Sequence, residues 1–156
     1  MGEKAVVIFT AASCLNNQHY YNAGGYGAIK LYKDKKKEIY GGKKCTSNAE
    51  MELTAIVEAL KGIKTTHIPI RVYSSSSFII NSINQKWYKK WEKDGWKNGG
   101  KKPVKNKELW IELLSLKKTF KDISFHKSSK STHYAQEFAY ELSVIGAEMN
   151  DWKYKY

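Results

Sequence analysis

The apolar period of this chain changes at Ser47, and that change constrains the fold more than any other feature. Before it, Ala5-Val6-Val7-Ile8-Phe9-Thr10 is a β-branched run of the kind that forms a buried strand. Residues 26–33 then alternate, with Ile29 and Leu31 on one side and Ala28, Lys30 and Tyr32 on the other. Gly24-Gly25 reads as the loop before this strand, Asp34 to Lys36 as a polar turn, and Lys37 to Gly41 as the returning strand of a hairpin. Ser47-Asn48-Ala49-Glu50 has the capping-box pattern, and Leu53, Ile56, Val57 and Leu60 follow at helical spacing.

After that helix, Ile68 to Ser74 reads as a strand and Phe78, Ile79 and Ile83 as part of a helix. Lys86 to Lys105 is rich in Lys and Trp, contains Gly95, Gly99 and Gly100, and reads as a basic helix followed by a basic loop. Glu108 to Phe120 forms another helix with Leu109, Leu113 and Leu116 on one face, and Ile123 to Lys127 a fifth strand. Ala135, Phe138, Leu142, Ile145 and Met149 mark a last amphipathic helix. Three strands, helix, strand, helices, strand, helix is an α/β order: a five-stranded mixed sheet with helices packed on it. The expectation is a single domain over residues 1–150, with 151–156 a C-terminal tail.

Hydrophobic residues make up 42% of the 156 residues and charged residues 27%, proportions that support a folded core. No run approaches the roughly 20 apolar residues of a membrane span, and the opening Met1-Gly2-Glu3-Lys4 does not lead into a secretion signal. Cys14 and Cys45 lack a paired metal-ligand spacing. These features predict an intracellular protein, cytoplasmic or nuclear, in a reduced compartment, monomeric and without a membrane partner.

The formal net charge of +12 favours a polyanionic partner. Arg71 is the only arginine. Lysine meets phosphate as a point charge, whereas arginine reads guanine edges in bidentate fashion, so binding is expected to follow backbone shape and not base sequence. Trp87 and Trp91 are four residues apart, hence on one helix face, and Lys86, Lys89, Lys90 and Lys93 lie beside them. Basic residues with interleaved aromatics are the usual footprint of a nucleic-acid surface. A pair of core tryptophans is the plainer alternative.

The segment Trp87-Tyr-Lys-Lys-Trp91-Glu-Lys-Asp-Gly-Trp96, continued through Pro103 and Asn106 to Trp110, resembles the basic protrusion of type 1 ribonuclease H. Ile8-Phe9-Thr10 with Ser13-Cys14, Gly-Gly-Tyr-Gly-Ala-Ile at 24–29, and Thr46-Ser47-Asn48 leading to Met51-Glu52-Leu53 resemble the same family, in the same order. The resemblance implies a ribonuclease H-like fold, and a site in which four carboxylates hold two Mg²⁺ ions against an RNA phosphodiester. Those four positions match Ala11, Glu52, Ser75 and Tyr140, so three of the four acids are replaced. The family's catalytic histidine position matches Lys130, with His133 nearby. This predicts a catalytically inactive protein, not an enzyme, with no catalytic residues, no metal site and loss of Mg²⁺ binding.

The resemblance also implies a retained binding surface. Phe78, Trp87 and Trp91 match the DNA-strand channel, with Trp96 beside them in the protrusion. Ser47 and Asn106 match a DNA-phosphate pocket, although Ser47 is also the predicted helix cap. Cys14, Asn17 and Asn48 match RNA contacts, to which Glu52 adds a 2′-hydroxyl contact, and Lys101, Lys102 and Lys105 are expected on phosphates. The expected partner is an RNA/DNA hybrid or double-stranded RNA, recognised by shape and 2′-hydroxyls. Two alternatives stay open: a protein–protein module on the dead fold, and a ribonuclease with a metal site rebuilt from Glu52, Glu137 or Glu141.

Overall fold

A computed structural model describes residues 4–15, 22–129 and 131–151 of the chain. Asn17, Lys130 and residues 152–156 lie outside this set. The elements run β1 (Val6–Leu15), β2 (Ala23–Tyr32), β3 (Lys35–Lys44), α1 (Asn48–Lys61), β4 (Ile70–Ser74), α2 (Ser77–Asn84), α3 (Trp87–Lys93), α4 (Lys107–Thr119), β5 (Ile123–Lys127) and α5 (Tyr134–Met149). The five strands form one mixed sheet in the order β3-β2-β1-β4-β5. β1 and β2 pair antiparallel, as do β2 and β3, while β1–β4 and β4–β5 are parallel. This is the mixed sheet that the sequence predicts.

Strand alternation sends β1 side chains to two different cores. Val6 and Ile8 join Leu53, Ile56, Leu60, Val72, Trp110, Leu113 and Phe125 on the side covered by α1, α2 and α4. Phe9 and Ala11 join Ile29, Ala135, Ala139 and Leu142 on the side covered by α5. Ser47 caps α1 as its pattern predicts: its side chain accepts the Glu50 N–H at 3.1 Å.

Two local readings are corrected. Gly24 and Gly25 are not a loop; they pair with Cys14 and Ser13 inside β2. A Cβ on Gly24 would meet the Thr46 and Met51 side chains, and Gly25 is glycine because of the helix above it. A Cβ on Gly25 would collide with the backbone of Ser143 and Ala147 in α5, and one on Gly146 would collide with the backbone of Gly41 in β3. α5 therefore rests almost backbone to backbone on the sheet. The second correction is β3, which extends well beyond residues 37–41 because it pairs along the full length of β2. As an edge strand dense in lysine, it shows little of the alternation that marks a half-buried strand.

The packing of α5 also divides its apolar residues. Ala135 and Leu142 are buried with Ala139, Gly146 and Ala147, whereas Phe138, Ile145 and Met149 point to solvent. The sequence pattern places Ala135, Phe138, Leu142, Ile145 and Met149 together as one amphipathic face. The small residues carry the buried side because only they permit the close approach.

Gly146→Val places a side chain against the Gly41 backbone and is expected to cost at least the roughly 1–3 kcal/mol typical of overpacking. Urea denaturation checks this; an unchanged midpoint would contradict the packing described.

Candidate nucleic-acid interface

The cleft forms where β1 and β4 end side by side, with Thr10 paired to Ser74. Thr10 follows Val6 and Ile8 on the α1 side of the sheet, so its hydroxyl meets the first turns of α1. Glu52 reaches down from α1 between the two strands. Its Oε2 accepts the Thr10 hydroxyl at 2.5 Å and the Ser74 hydroxyl at 2.7 Å. The Ser74 hydroxyl in turn accepts the Ser76 N–H at 3.1 Å, which ties the start of α2 to the same node. Glu52 is only 3% exposed. Burial pushes its carboxyl above the usual range, and the two hydroxyl hydrogen bonds offset part of that rise. Both bonds fall on Oε2, which leaves Oε1 as the oxygen open to the cleft.

Above Glu52 lies a cavity of about 510 Å³ lined by Ala12, Asn48, Ala49, Glu52, Ser75, Ser76 and Phe78. The positions matched to the family carboxylates divide around it. Ser75 is exposed on the cavity wall. Ala11 is buried in the core beneath α5, and Tyr140 packs against that same core. Glu137 and Glu141 are not brought to Glu52; they line a separate hollow on α5 with Tyr134 and Phe138. His133 serves α5 structurally: its Nδ1 accepts the Ala135 N–H at 3.0 Å and its ring stacks on Phe9.

Sequence reasoning missed Gln136. It is buried on the inner face of α5, and its amide donates to the Thr10 carbonyl at 2.8 Å, so α5 also bears on the cleft. Its Oε1, like the buried Ser128 hydroxyl, has no partner among the described residues. The signal was present: Gln136, Ala139 and Ser143 share helical spacing, and a long polar side chain on such a stripe needs a buried partner.

The basic face continues from the cleft. Phe78, on the cavity wall, lies with its ring 5.9 Å from that of Trp87, which is 37% exposed. Trp87 donates through Nε1 to Gln85 at 3.1 Å. Beside it, a groove of about 370 Å³ is lined by Lys86, Trp87, Lys90, Trp91, Asp94 and Lys97, among others. Trp91 is half-buried, with its ring 5.3 Å from Trp110 and 6.3 Å from Trp96, so it anchors the protrusion to α4 as well as lining the groove. Lys89 and Lys93 are exposed on α3, and Lys101, Lys102 and Lys105 on the loop that follows. Asn98 organises that loop by accepting the N–H groups of Gly100 and Lys102 at 2.9 and 3.1 Å. Asn106 starts α4 in the left-handed conformation, at φ 61°, with no side-chain cap bond. Asn48 is exposed at the first turn of α1, and Cys14 is half-buried on β1, its thiol pushed up by burial and by Glu50. The only arginine, Arg71, is spent on an ion pair with Asp122 at 2.7 Å.

The RNase H family model matches residues 3–143. This chain belongs to the ribonuclease H family. Among its relatives, the Ribonuclease H of Clostridium botulinum is 45% identical over 115 residues, covering 74% of this chain and 76% of the relative. That of Chlorobaculum parvum is 41% identical over 127 residues, 80% of this chain and 82% of the relative. That of Caldicellulosiruptor saccharolyticus is 39% identical over 140 residues, 87% and 94%. Two solved structures share the fold at low identity. LC9-RNase H1, a type 1 RNase H with the type 2 active-site motif, gives a TM-score of 0.81 at 22% identity, covering 96% of this chain and 75% of that one. A foamy viral protease-reverse transcriptase in complex with RNA/DNA hybrid gives 0.81 at 20%, covering 94% and 20%.

Relatives this similar are named for an enzyme. That overturns the expectations of a catalytically inactive binder, of a protein that is not an enzyme, and of no Mg²⁺. The physical reason is that replaced ligands do not by themselves decide whether a cleft binds Mg²⁺: the ion keeps several waters and takes one or two carboxylates together with substrate phosphates. The four-carboxylate, two-metal set does not fit the side chains at these positions. A Mg²⁺ shared between Glu52 and substrate phosphate oxygens does fit the donor chemistry of the cleft.

Because the folded pKa of Glu52 is raised, its protonated form favours the fold. That contribution is complete below the ordinary carboxylate range and is lost as pH rises through the folded value. Glu52→Gln, whose amide oxygen still accepts both hydroxyls, avoids this loss. Its Tm advantage over wild type is expected to grow from about pH 4 to about pH 8, by roughly 2–4 °C per kcal/mol recovered. A pH-independent difference in thermal melts would contradict the burial of an ionisable carboxyl.

Proposed function

We propose that this member of the ribonuclease H family binds RNA/DNA hybrids and hydrolyses their RNA strand, with Glu52 as the carboxylate its cleft contributes. One observation carries the reading: Phe78 belongs to the wall of the Glu52 cavity and also touches Trp87 of the basic groove, so cleft and groove form one continuous surface. The relatives' name supports hydrolysis, and the foamy viral neighbour is described with an RNA/DNA hybrid.

The chain's own residues divide the work. Lys86, Lys89, Lys90, Lys93, Lys101, Lys102 and Lys105 neutralise phosphates along α3 and its loop. Phe78, Trp87 and Trp96, with one edge of Trp91, pack against the sugars and bases of the DNA strand. Ser47 and Asn106 flank a DNA phosphate, with the exposed amides at the start of α1 adding donors. Cys14 and Asn48 face the RNA strand, and Glu52 Oε1 meets it in the cleft. Glu52 would hold a Mg²⁺ there together with substrate phosphate oxygens, and the ion would supply an acidified water and offset phosphoryl charge. Hybrid and A-form duplexes share the 2′-hydroxyl-rich minor groove that such a surface reads, so double-stranded RNA is the natural competitor.

A labelled hybrid titrated on a native gel with Mg²⁺ or Mn²⁺ tests this. Wild type is expected to shift the hybrid and shorten its RNA, with affinity falling steeply as salt rises. Trp87→Ala is expected to weaken binding by about 1–3 kcal/mol, the worth of one stacked base. Glu52→Gln is expected to shift the hybrid without cutting it. No shift at low salt sinks the binding half, and RNA left intact by wild type at every metal concentration sinks the hydrolytic half.

A further inference from the structure

α5 contains no lysine or arginine between Tyr134 and Met149, in a chain that has 27 of them. Its outer face, on the side of the sheet opposite α1 and α4, instead presents Tyr134, Phe138, Ile145 and Met149, at 60%, 45%, 44% and 64% exposure. Their spacing of four, seven and four residues keeps them on one stripe, about 22 Å long at about 1.5 Å per residue. Glu137, Glu141 and Glu148 run along one edge of that stripe, and none of the three makes an ion pair with a described residue.

The N-terminal half of the stripe is shaped to take a cation. Tyr134 and Phe138 meet edge to face, with ring centroids 5.8 Å apart and planes at 87°. With Glu137 and Glu141 they line a hollow of about 230 Å³. Two aromatic walls at right angles beside two carboxylates provide both cation–π attraction and direct charge pairing. The chain's own Lys36 already holds its ammonium 5.9 Å from the Phe138 ring centroid, drawn from the neighbouring strand β3.

Charge decides between occupants. A phosphate backbone would meet three glutamates and no cation on this helix. A second copy docking α5 against α5 would oppose glutamate rows. We propose that the outer face of α5 docks a lysine- or arginine-bearing amphipathic helix of a partner protein, with one cationic side chain held by Tyr134, Phe138, Glu137 and Glu141 and apolar side chains laid over Ile145 and Met149. The helix-on-helix mode needs only these regularly spaced anchors. Because the stripe lies across the sheet from the basic groove, partner and nucleic acid are held together on opposite faces.

The probe is a labelled synthetic helix of leucine and lysine in amphipathic order, read by fluorescence anisotropy at about 0.1 M salt, against a scrambled peptide of the same composition. The protein's net charge of +12 repels both peptides equally at long range, so a difference reports the local face. The amphipathic peptide is expected to bind at least about ten-fold more tightly than the scrambled one. Phe138→Ser and the double variant Glu137→Lys, Glu141→Lys are each expected to weaken it about ten-fold or more, with circular dichroism and hybrid binding unchanged. Equal binding of the two peptides overturns the proposal, as does full peptide affinity in the variants. Sedimentation showing wild-type self-association that Phe138→Ser abolishes makes a second copy the occupant and overturns it as well.

Discussion

A carboxyl buried against two hydroxyls sets the geometry of this ribonuclease H family member at its cleft. Glu52 joins α1 to the ends of β1 and β4, the two parallel strands at the centre of the sheet. Through Ser74 the same node fixes the start of α2, and α2 carries Phe78 to the point where cleft and protrusion meet. A buried acid is costly unless its lone pairs are used, and here one oxygen is satisfied by the protein while the other is left to the cleft. Gln136 reaches the Thr10 carbonyl from the far side, so both helical layers bear on the strand that carries the node.

The second organising constraint is the close approach of α5 to β2 and β3. Glycines at 25, 27 and 146 let backbone meet backbone, and Phe138, Ile145 and Met149 of α5 turn outward. The molecule consequently presents two surfaces of opposite character. One is lysine- and tryptophan-rich, suited to a polyanion. The other is aromatic and acidic, and repels one. Fold membership alone does not predict this division; it follows from which residues each layer must bury.

Much of the architecture was legible in the sequence because it rests on local periodicity and capping. β5, α1 with its Ser47 cap and the first half of β1 could be read in this way; β1 runs on from Thr10 to Leu15. The mixed sheet followed from the order of elements. What failed depended on contacts distant in sequence. Gly24-Gly25 carries the local mark of a turn, yet Gly24 answers to Thr46 and Met51 and Gly25 to α5 more than a hundred positions away. β3 hides its length because an edge strand tolerates lysine at nearly every position. Phe138 and Ile145 fit an amphipathic pattern whose buried side is instead formed by Ala and Gly. At the cleft, the structure brings Glu52 and the replacement Ser75 to one cavity wall, whereas the replacements Ala11 and Tyr140 sit with the core beneath α5. Counting those replacements did not give the activity, because metal binding draws on substrate oxygens and water as well as on side chains.

In the proposed complex, nucleic acid lies across the Glu52 cleft and the α3 groove while the α5 face stays clear of it. Backbone amide and tryptophan indole shifts of isotopically labelled protein, followed by NMR as an RNA/DNA hybrid is added, test this directly. The account predicts shifts at residues 47–52, at Phe78 and at the Trp87 and Trp96 indoles, with Phe138, Ile145 and Met149 unmoved. Shifts concentrated on α5, with the α3 indoles silent, would contradict it.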